Sequence, residues 1–548
     1  MKTQGFRSWS VPLLLLAAQF AFHAEADTCY WTGGGYDTYW SNPLNWKDGN
    51  IPGQYKDADG NVIGREGDVA VFGPVEAGKK TTVTCSRTTG ALVSIGRIVV
   101  TGAEAPVYTF GGFANDEIHI EGFGEDNGFY VEADVVNMPV FQGKLFALTL
   151  VRSKQPTVNI VNESVGILDL PDLQKVTQDP SFTEDGLTAT YQFLGSGDIR
   201  LNGQDLSNTA EFRLGQTGRF IVNTDLQGRI SGRYAPRYLR TLGTSSEPVR
   251  LVINEGCALL VRQIYNNQIV AEERDLIVSG DGWFGVQSPT QQTTLKIGDG
   301  RTLEVDCVFK AVSVNTNPYV EPQSGSVVQQ SGLSAPGTLK LTNPLNEIAV
   351  AAEVRSGGTL MVPGIGSAGE QSVLGTGEKV YLSNNSTLRY CGAGETTDRT
   401  LVITKNTSAG GRLLHDGTGP WIFAGDVTLD TASGTLALCG VRDDGTLATS
   451  LSDSGSYQLS LTKSDAGTWT LTGACTHTGT TKVSGGVLVV GADGSLTASP
   501  VSLAGGSLVF AGGADAVEKT LVSTAKPADE QTPATWHPDG NGNYTDAE

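Results

Sequence analysis

Methionine occurs only three times in 548 residues and histidine five times, and the seven cysteines stand far apart with no Cys-x-x-Cys pair. That scarcity argues against a zinc site or a redox dithiol, which need such side chains at short, fixed spacing. Neither His-Glu-x-x-His nor Gly-x-Ser-x-Gly occurs, so the zincin helix and the hydrolase elbow have no counterpart. Apolar residues rarely recur at the helical period, and no apolar run is long enough to span a bilayer as a stable helix. Basic charge is short as well: 38 Lys and Arg stand against 58 Asp and Glu, a net charge of −20 at pH 7. A surface of that sign repels nucleic acid and anionic membrane, so neither is an expected partner. Its plainest use is to keep a long secreted β-protein soluble.

The first residues set the compartment. Lys2 and Arg7 supply a positive start, Val11 to Phe22 a short apolar stretch, and Ala24-Glu25-Ala26 the small residues a signal peptidase reads. Residues 1–26 therefore read as a leader cleaved after Ala26, which leaves Asp27 first in a secreted, extracellular or outer-surface protein. Export permits disulfides. Cys29–Cys85 is the pair to test, the other pairings stay open, and an odd count leaves one thiol over.

Glycine is abundant, at 70 residues, and it joins short apolar runs such as Ile98-Val99-Val100 and Leu251-Val252-Ile253. Such runs, broken by Gly, Asn, Asp and Ser, read as many short strands. A phrase of Gly, a small residue and Leu-x-Val/Leu returns at Gly300, Gly337, Gly358, Gly434, Gly467, Gly486 and Gly506. Several starts lie 19 to 21 residues apart. A unit that short cannot enclose a core alone, whereas stacked units can. A sandwich would show antiparallel hairpins and no phrase at fixed spacing. The expected fold is all-β: a right-handed parallel β-helix with a small Trp-rich N-terminal module.

Candidate chemistry is sparse. Asp57, Asp59, Asn61 and Asp68 partly imitate a calcium loop, but Val62 stands where that loop needs Gly and no helices flank it. An exposed polar turn is the simpler reading, as it is for Asp539, Asn541 and Asn543. Gly364-Ile-Gly366-Ser-Ala-Gly369 has the letters of a dinucleotide fingerprint without a helix to follow, so it reads as a turn and no cofactor is expected. His415-Asp416 reads as a surface turn, and His477 as packed or exposed. Arg274 with Asp275 and Asp281, and Arg399 with Asp398, are the groupings a β-helical lyase or glycosidase could use. Trp31, Trp40 and Trp46 suit either a cap over the open end of the helix or a surface for stacking sugars.

From about residue 336 the text resembles a known family. Lys463-Ser-Asp-Ala-Gly467, Leu471-Thr-Gly473, Gly479-Thr-Thr481 and Gly485-Gly-Val-Leu488 fall in register with the autotransporter-associated β-strand repeat, with Asp465 in place of its first glycine and Cys475 and His477 in place of its Asn-x-Tyr. Tyr30-Trp31-Thr-Gly33, Trp40-Ser-Asn42, Asn45-Trp46 and Asp68-Val-Ala-Val-Phe72 resemble the opening module of the same proteins. The resemblance implies a displayed, structural or adhesive β-helix without catalysis, facing surface glycans or a host or neighbouring cell. The alternatives are a β-helical polysaccharide-active enzyme and a non-catalytic carbohydrate-binding protein. The expected division is a leader at 1–26, the Trp module at 27–79, diverged coils at 80–335, repeat-bearing coils at 336–515, and a linker with the start of a second Trp module at 516–548. The last stretch suggests a fragment of a longer protein, and neither oligomeric state nor anchoring can be read.

Overall fold

The computed structural model describes residues 27–56, 62–63, 67–84, 92–111, 117–121, 126–142, 144–149, 157–171, 173–177, 189–202, 210–223, 225–226, 238–262, 269–271, 273–288, 292–313, 323–324, 326–331, 337–349, 351–404, 410–511, 521–523 and 543–544. Among them the only helical pieces are two three-residue 3-10 turns, Pro43–Asn45 and Lys47–Gly49. No helix is long and apolar enough to cross a membrane.

The strands are short because each forms one side of a coil, and each pairs in parallel with the equivalent strand of the coil above and below. The chain starts in an eight-stranded sheet that runs from Thr28–Tyr30 to Tyr238–Thr241. A 15-stranded sheet takes over the length of the molecule, from Ile167–Leu170 to Leu521–Ser523. At a spacing of roughly 4.8 Å between strands, that sheet alone extends about 65 Å. Antiparallel pairing is confined to short additions, such as Gln54–Lys56 against Val62–Ile63 and Ser507–Phe510 against Asn543–Tyr544. The fold is the parallel β-solenoid that the repetition implied.

On the 15-stranded sheet, parallel register turns the period-two strand pattern into internal rows. Along the 15-stranded sheet Val249, Leu276, Leu303, Leu339, Leu360, Leu388, Leu413 and Leu438 stand one above another. All eight are buried. Beside them run Leu168, Ile199, Phe220, Leu251, Val278, Val305 and Leu341. Each buried Leu or Val contributes roughly 1.5–3 kcal/mol relative to exposure. The rows spread that stabilisation along the axis instead of gathering it at one centre.

Two expectations change. The recurring phrase is not one element: at 302, 338 and 359 it lies on the 15-stranded sheet, whereas at 468, 487 and 507 it lies on a different, seven-stranded sheet. A Gly-small-Leu corner leads into a strand of either sheet, so identical words mark different corners. The unit is also not uniformly about 20 residues. Loops inserted at corners, such as 363–378, lengthen some upstream coils while leaving the stacking intact.

The N-terminal end is closed by aromatic rings. Trp31, Trp40 and Trp46 are all buried; Trp46 lies 5.1 Å from Trp31 and 4.9 Å from Trp40, and all three pack on Phe72. The contact continues through Phe110 and Phe129 to Phe141 down the axis. Each indole N–H donates to a backbone carbonyl: Trp31 to Lys80, Trp40 to Pro52 and Trp46 to Trp40. Asn45 fixes the loop that carries these rings, accepting from the Gly35 N–H and donating to the Asp37 and Tyr39 carbonyls. With the rings turned inward, they offer no face on which sugars could stack. Trp46→Ala should therefore cost about 3–5 kcal/mol of local stability. Hydrogen exchange should rise across residues 28–110 and stay unchanged across 351–404; acceleration of both regions would contradict coil-by-coil stability.

Candidate functional site

Asp57, Asp59 and Asn61 lie outside the described residues, as do Cys85 and with it the Cys29–Cys85 pairing, and Asp539 and Asn541. Asp68 is buried, and its carboxylate accepts N–H groups from Asp27 at 3.0 Å and Gly53 at 3.2 Å. Among the described residues no group of three or more His, Cys, Asp or Glu is placed to hold a metal ion. Cys307, Cys391 and Cys439 carry no disulfide, and burial pushes the Cys307 thiol up to about 12.

The glycine-rich turn at Gly364 does present amides to carboxylates, but they belong to the chain itself. Ile365 and Gly366 donate to Glu395, and Ala368 donates to Asp398. Arg399 lies buried beneath this loop and donates to the carbonyls of Gly366, Glu370, Gly375 and Gly377 and to the Ser372 hydroxyl. Arg274 does the same elsewhere, donating to the carbonyls of Gly215, Gln216 and Glu247. Burial lowers the pKa of both guanidinium groups, yet each of their three nitrogens donates to at least one oxygen. The two arginines singled out for catalysis are staples of corner loops.

His415 is not on a surface turn. It ends the strand Gly410–His415 on the inward face, fully buried, among the rings of Tyr390, Trp421 and Trp469. Its Nδ1 accepts the Gly417 N–H, so Nε2 carries the proton and donates to Asp444 at 2.8 Å. Burial depresses its pKa more than the Asp444 hydrogen bond and charge restore it. Asp416 faces outward and pairs with Arg389. His477 is also buried, bonded to Thr481, whose hydroxyl meets Ser499. Alternation along the strand decides the inward direction, and the neighbouring His-Asp letters concealed it.

The outer faces of the two long sheets differ. On the 15-stranded sheet, charges neutralise one another from coil to coil: Arg200 with Asp169, Arg219 with Asp198, Lys340 with Glu304, and Arg389 with Asp416. On the eight-stranded sheet, a single row contains Arg97, Gly128, Asn159, Gln192, Arg213 and Arg240 on six successive strands. Gly128 leaves a gap in the row, beside which the Arg97 guanidinium lies 3.9 Å from the Tyr130 ring centroid. Asn159 donates to the Tyr130 hydroxyl, and Gln192 donates to Asn159. Glu211 is paired with both Arg213 and Arg240, whose side chains remain 31% and 30% exposed. Two arginines share the Glu211 carboxylate and Arg97 stands four strands further along, so the row is locally basic, planar and polar on an acidic protein. Nothing in the sequence aligned these residues before the register was known.

The repeat from Lys463 to Leu488 explains its own letters. Lys463 stands in the internal leucine row directly after Leu438, fully buried, with Nζ donating to the carbonyls of Ser464, Asp465 and Gly485. Burial lowers its pKa, and Asp465 and Asp443 nearby oppose that shift. Asp465 has φ +61°, the conformation that the family's glycine adopts without cost, and its carboxylate compensates by accepting the Gly440 N–H at 2.9 Å. At Gly473 and Gly479 a Cβ would sit 2.2 Å and 2.3 Å from carbonyl oxygens of the preceding coil.

Two outcomes follow. Asp465→Gly should change stability by about 1 kcal/mol or less, whereas Asp465→Val should lose about 1–3 kcal/mol in chemical unfolding; equal losses would remove the left-handed account. The His415 imidazole should titrate below a free histidine when followed by 15N chemical shift. Because its folded pKa lies below its unfolded value of about 6.5, its effect on stability is absent at higher pH and turns unfavourable as pH falls through that value.

These features have relatives. Residues 461–490 match the family Passenger-associated-transport-repeat. The Adhesin BmaC autotransporter of Brucella suis biovar 1 (strain 1330) is 38% identical over 139 residues, which cover 24% of this chain and 4% of that protein. The chain thus matches only a small part of that relative's length, and no solved structure matches it. Within its stack of parallel coils the chain thus carries a repeat of the Passenger-associated-transport-repeat family, and over about a quarter of its length it is similar to an autotransporter adhesin.

Proposed function

We propose that this chain is part of an exported, surface-displayed adhesive rod, its leader removed after Ala26, in which the solenoid is a stiff spacer and one outer face makes the contacts. The observation that carries this reading is the stacking of coils straight through the repeat at 461–490, a segment shared with passengers of the autotransporter type. Similarity to a named adhesin adds the adhesive sense. A non-catalytic role is supported by Arg274 and Arg399, whose donors go to backbone carbonyls.

The contact face that fits best is the Arg97–Arg240 row. Its planar guanidinium and amide groups suit the hydroxyls and carboxylates of an acidic surface glycan, and its local positive sign opposes the net charge of −20. Residues 27–548 should be retained on immobilised polyuronate at low salt and released as ionic strength rises. The double variant Arg213→Ala/Arg240→Ala should bind about ten-fold more weakly, near 1.4 kcal/mol. Undiminished retention of that variant would clear the row of this role, and release of reducing ends or unsaturated sugars from a polysaccharide panel would overturn the non-catalytic reading. Labelling of intact cells by an antibody to the chain tests display, and silence there would overturn it.

A further inference from the structure

Asp68 occupies a junction of three elements. Its carboxylate accepts the backbone N–H of Asp27 at 3.0 Å and that of Gly53 at 3.2 Å, while its own carbonyl accepts the Arg97 N–H from the next coil. The residue is 5% exposed. Asp27 is docked from its other side too, its carbonyl accepting the Val69 N–H at 2.8 Å as the strand Thr28–Tyr30 joins Val69–Phe72. In an uncut chain the Asp27 nitrogen is a neutral amide with one proton. Hydrolysis of the Ala26–Asp27 bond consumes one water, leaves a carboxylate on Ala26, and leaves an amine on Asp27 that is protonated by solvent at neutral pH. The atom already 3.0 Å from a buried carboxylate then carries a full positive charge.

We propose that Asp68 is the receptor for the α-ammonium group created by leader removal, so that cleavage itself locks the N-terminal cap onto the first coil. The proposal rests on the reading of residues 1–26 as a cleaved leader. A cationic donor adds Coulomb attraction to a hydrogen bond that a neutral amide already makes to a carboxylate, and adds more where solvent is scarce. In the uncut chain the Asp27 amide is a neutral donor to the Asp68 carboxylate, and in the cut chain the same nitrogen is a cation, so an ion pair stands just before the edge strand. The lock forms only after the leader has gone, which leaves the cap easier to open while the leader is attached.

The test compares three forms of the protein: residues 27–548 with an unblocked α-amine, the same chain acetylated on Asp27, and a chain that starts at Ala26. Each is made with Asp68 and with Asp68→Asn, and hydrogen exchange is read at the amides of Cys29–Trp31 and Val69–Val71. With Asp68, the unblocked form should exchange about five- to ten-fold more slowly than the other two; with Asp68→Asn, the three should coincide. Equal exchange in all three Asp68 forms, or the same difference in the Asn forms, overturns the proposal. Should the Asn variant lose its cap, 15N titration of the Asp27 amine in the unaltered sequence decides: a pKa above the ordinary 7.7–8.0 or so supports the pair, and one at or below it overturns the pair. N-terminal sequencing of the exported protein tests the leader separately. A first residue other than Asp27 would end the role of processing whatever the exchange experiment gives.

Discussion

A strand in a coil of this kind has its N–H and C=O groups directed along the axis, and only the next coil can satisfy them. Buried backbone groups left without partners cost too much to be tolerated, so each coil is obliged to lie in register on the one before it. Register then decides everything else. It places Leu303, Leu339, Leu360, Leu388, Leu413 and Leu438 in one internal row, and it brings Gly473 and Gly479 so close to the preceding coil that no side chain fits. It also aligns Arg97, Asn159, Gln192, Arg213 and Arg240 outside, although about 140 residues separate the first from the last.

The same obligation explains the charged groups inside. Corners leave carbonyls that no strand pairs, and Arg274, Arg399 and Lys463 supply the missing donors from long, flexible side chains. A guanidinium suits a wide loop because its five N–H groups fan across several carbonyls, as under the 363–378 turn. An ammonium suits the tighter Ser464–Asp465 corner, where three oxygens converge on one nitrogen. Burial disfavours each of these cations, and the oxygens around them offset that cost. Substitution by a shorter side chain would strand carbonyls, not merely remove a charge.

Fold class was legible because it rests on two local signals, strand-length apolar runs and a phrase returning at coil length. The family was legible for a related reason: Gly473 and Gly479 are read as letters, and the close contacts that demand them come from the preceding coil. Side-chain direction was harder to read. His415 looked like half of a surface His-Asp pair until its position at the inward end of Gly410–His415 turned it into the core, while Asp416 turned outward to Arg389. The role of Arg399 was hidden too, since the loop it holds begins more than 30 residues earlier. The basic row was invisible in principle, because loops of unequal length separate its members and only three-dimensional register brings them together.

Pleating separates stability from contact in such a rod. Along every strand one residue in two faces the interior and answers to packing, while the next faces outward and answers to whatever the rod meets. Outward positions can therefore change charge, as they do between the self-neutralised face of the long sheet and the arginine row of the shorter one, without disturbing an internal row. The ends do not share this freedom. An open coil exposes both its strand edge and its core, which is why the N-terminal end gathers three tryptophans with all indole N–H groups bonded, and why a buried carboxylate at Asp68 ties the edge strand down. Outer faces of the middle coils can diversify, whereas the cap has to hold for the coils behind it to stay closed.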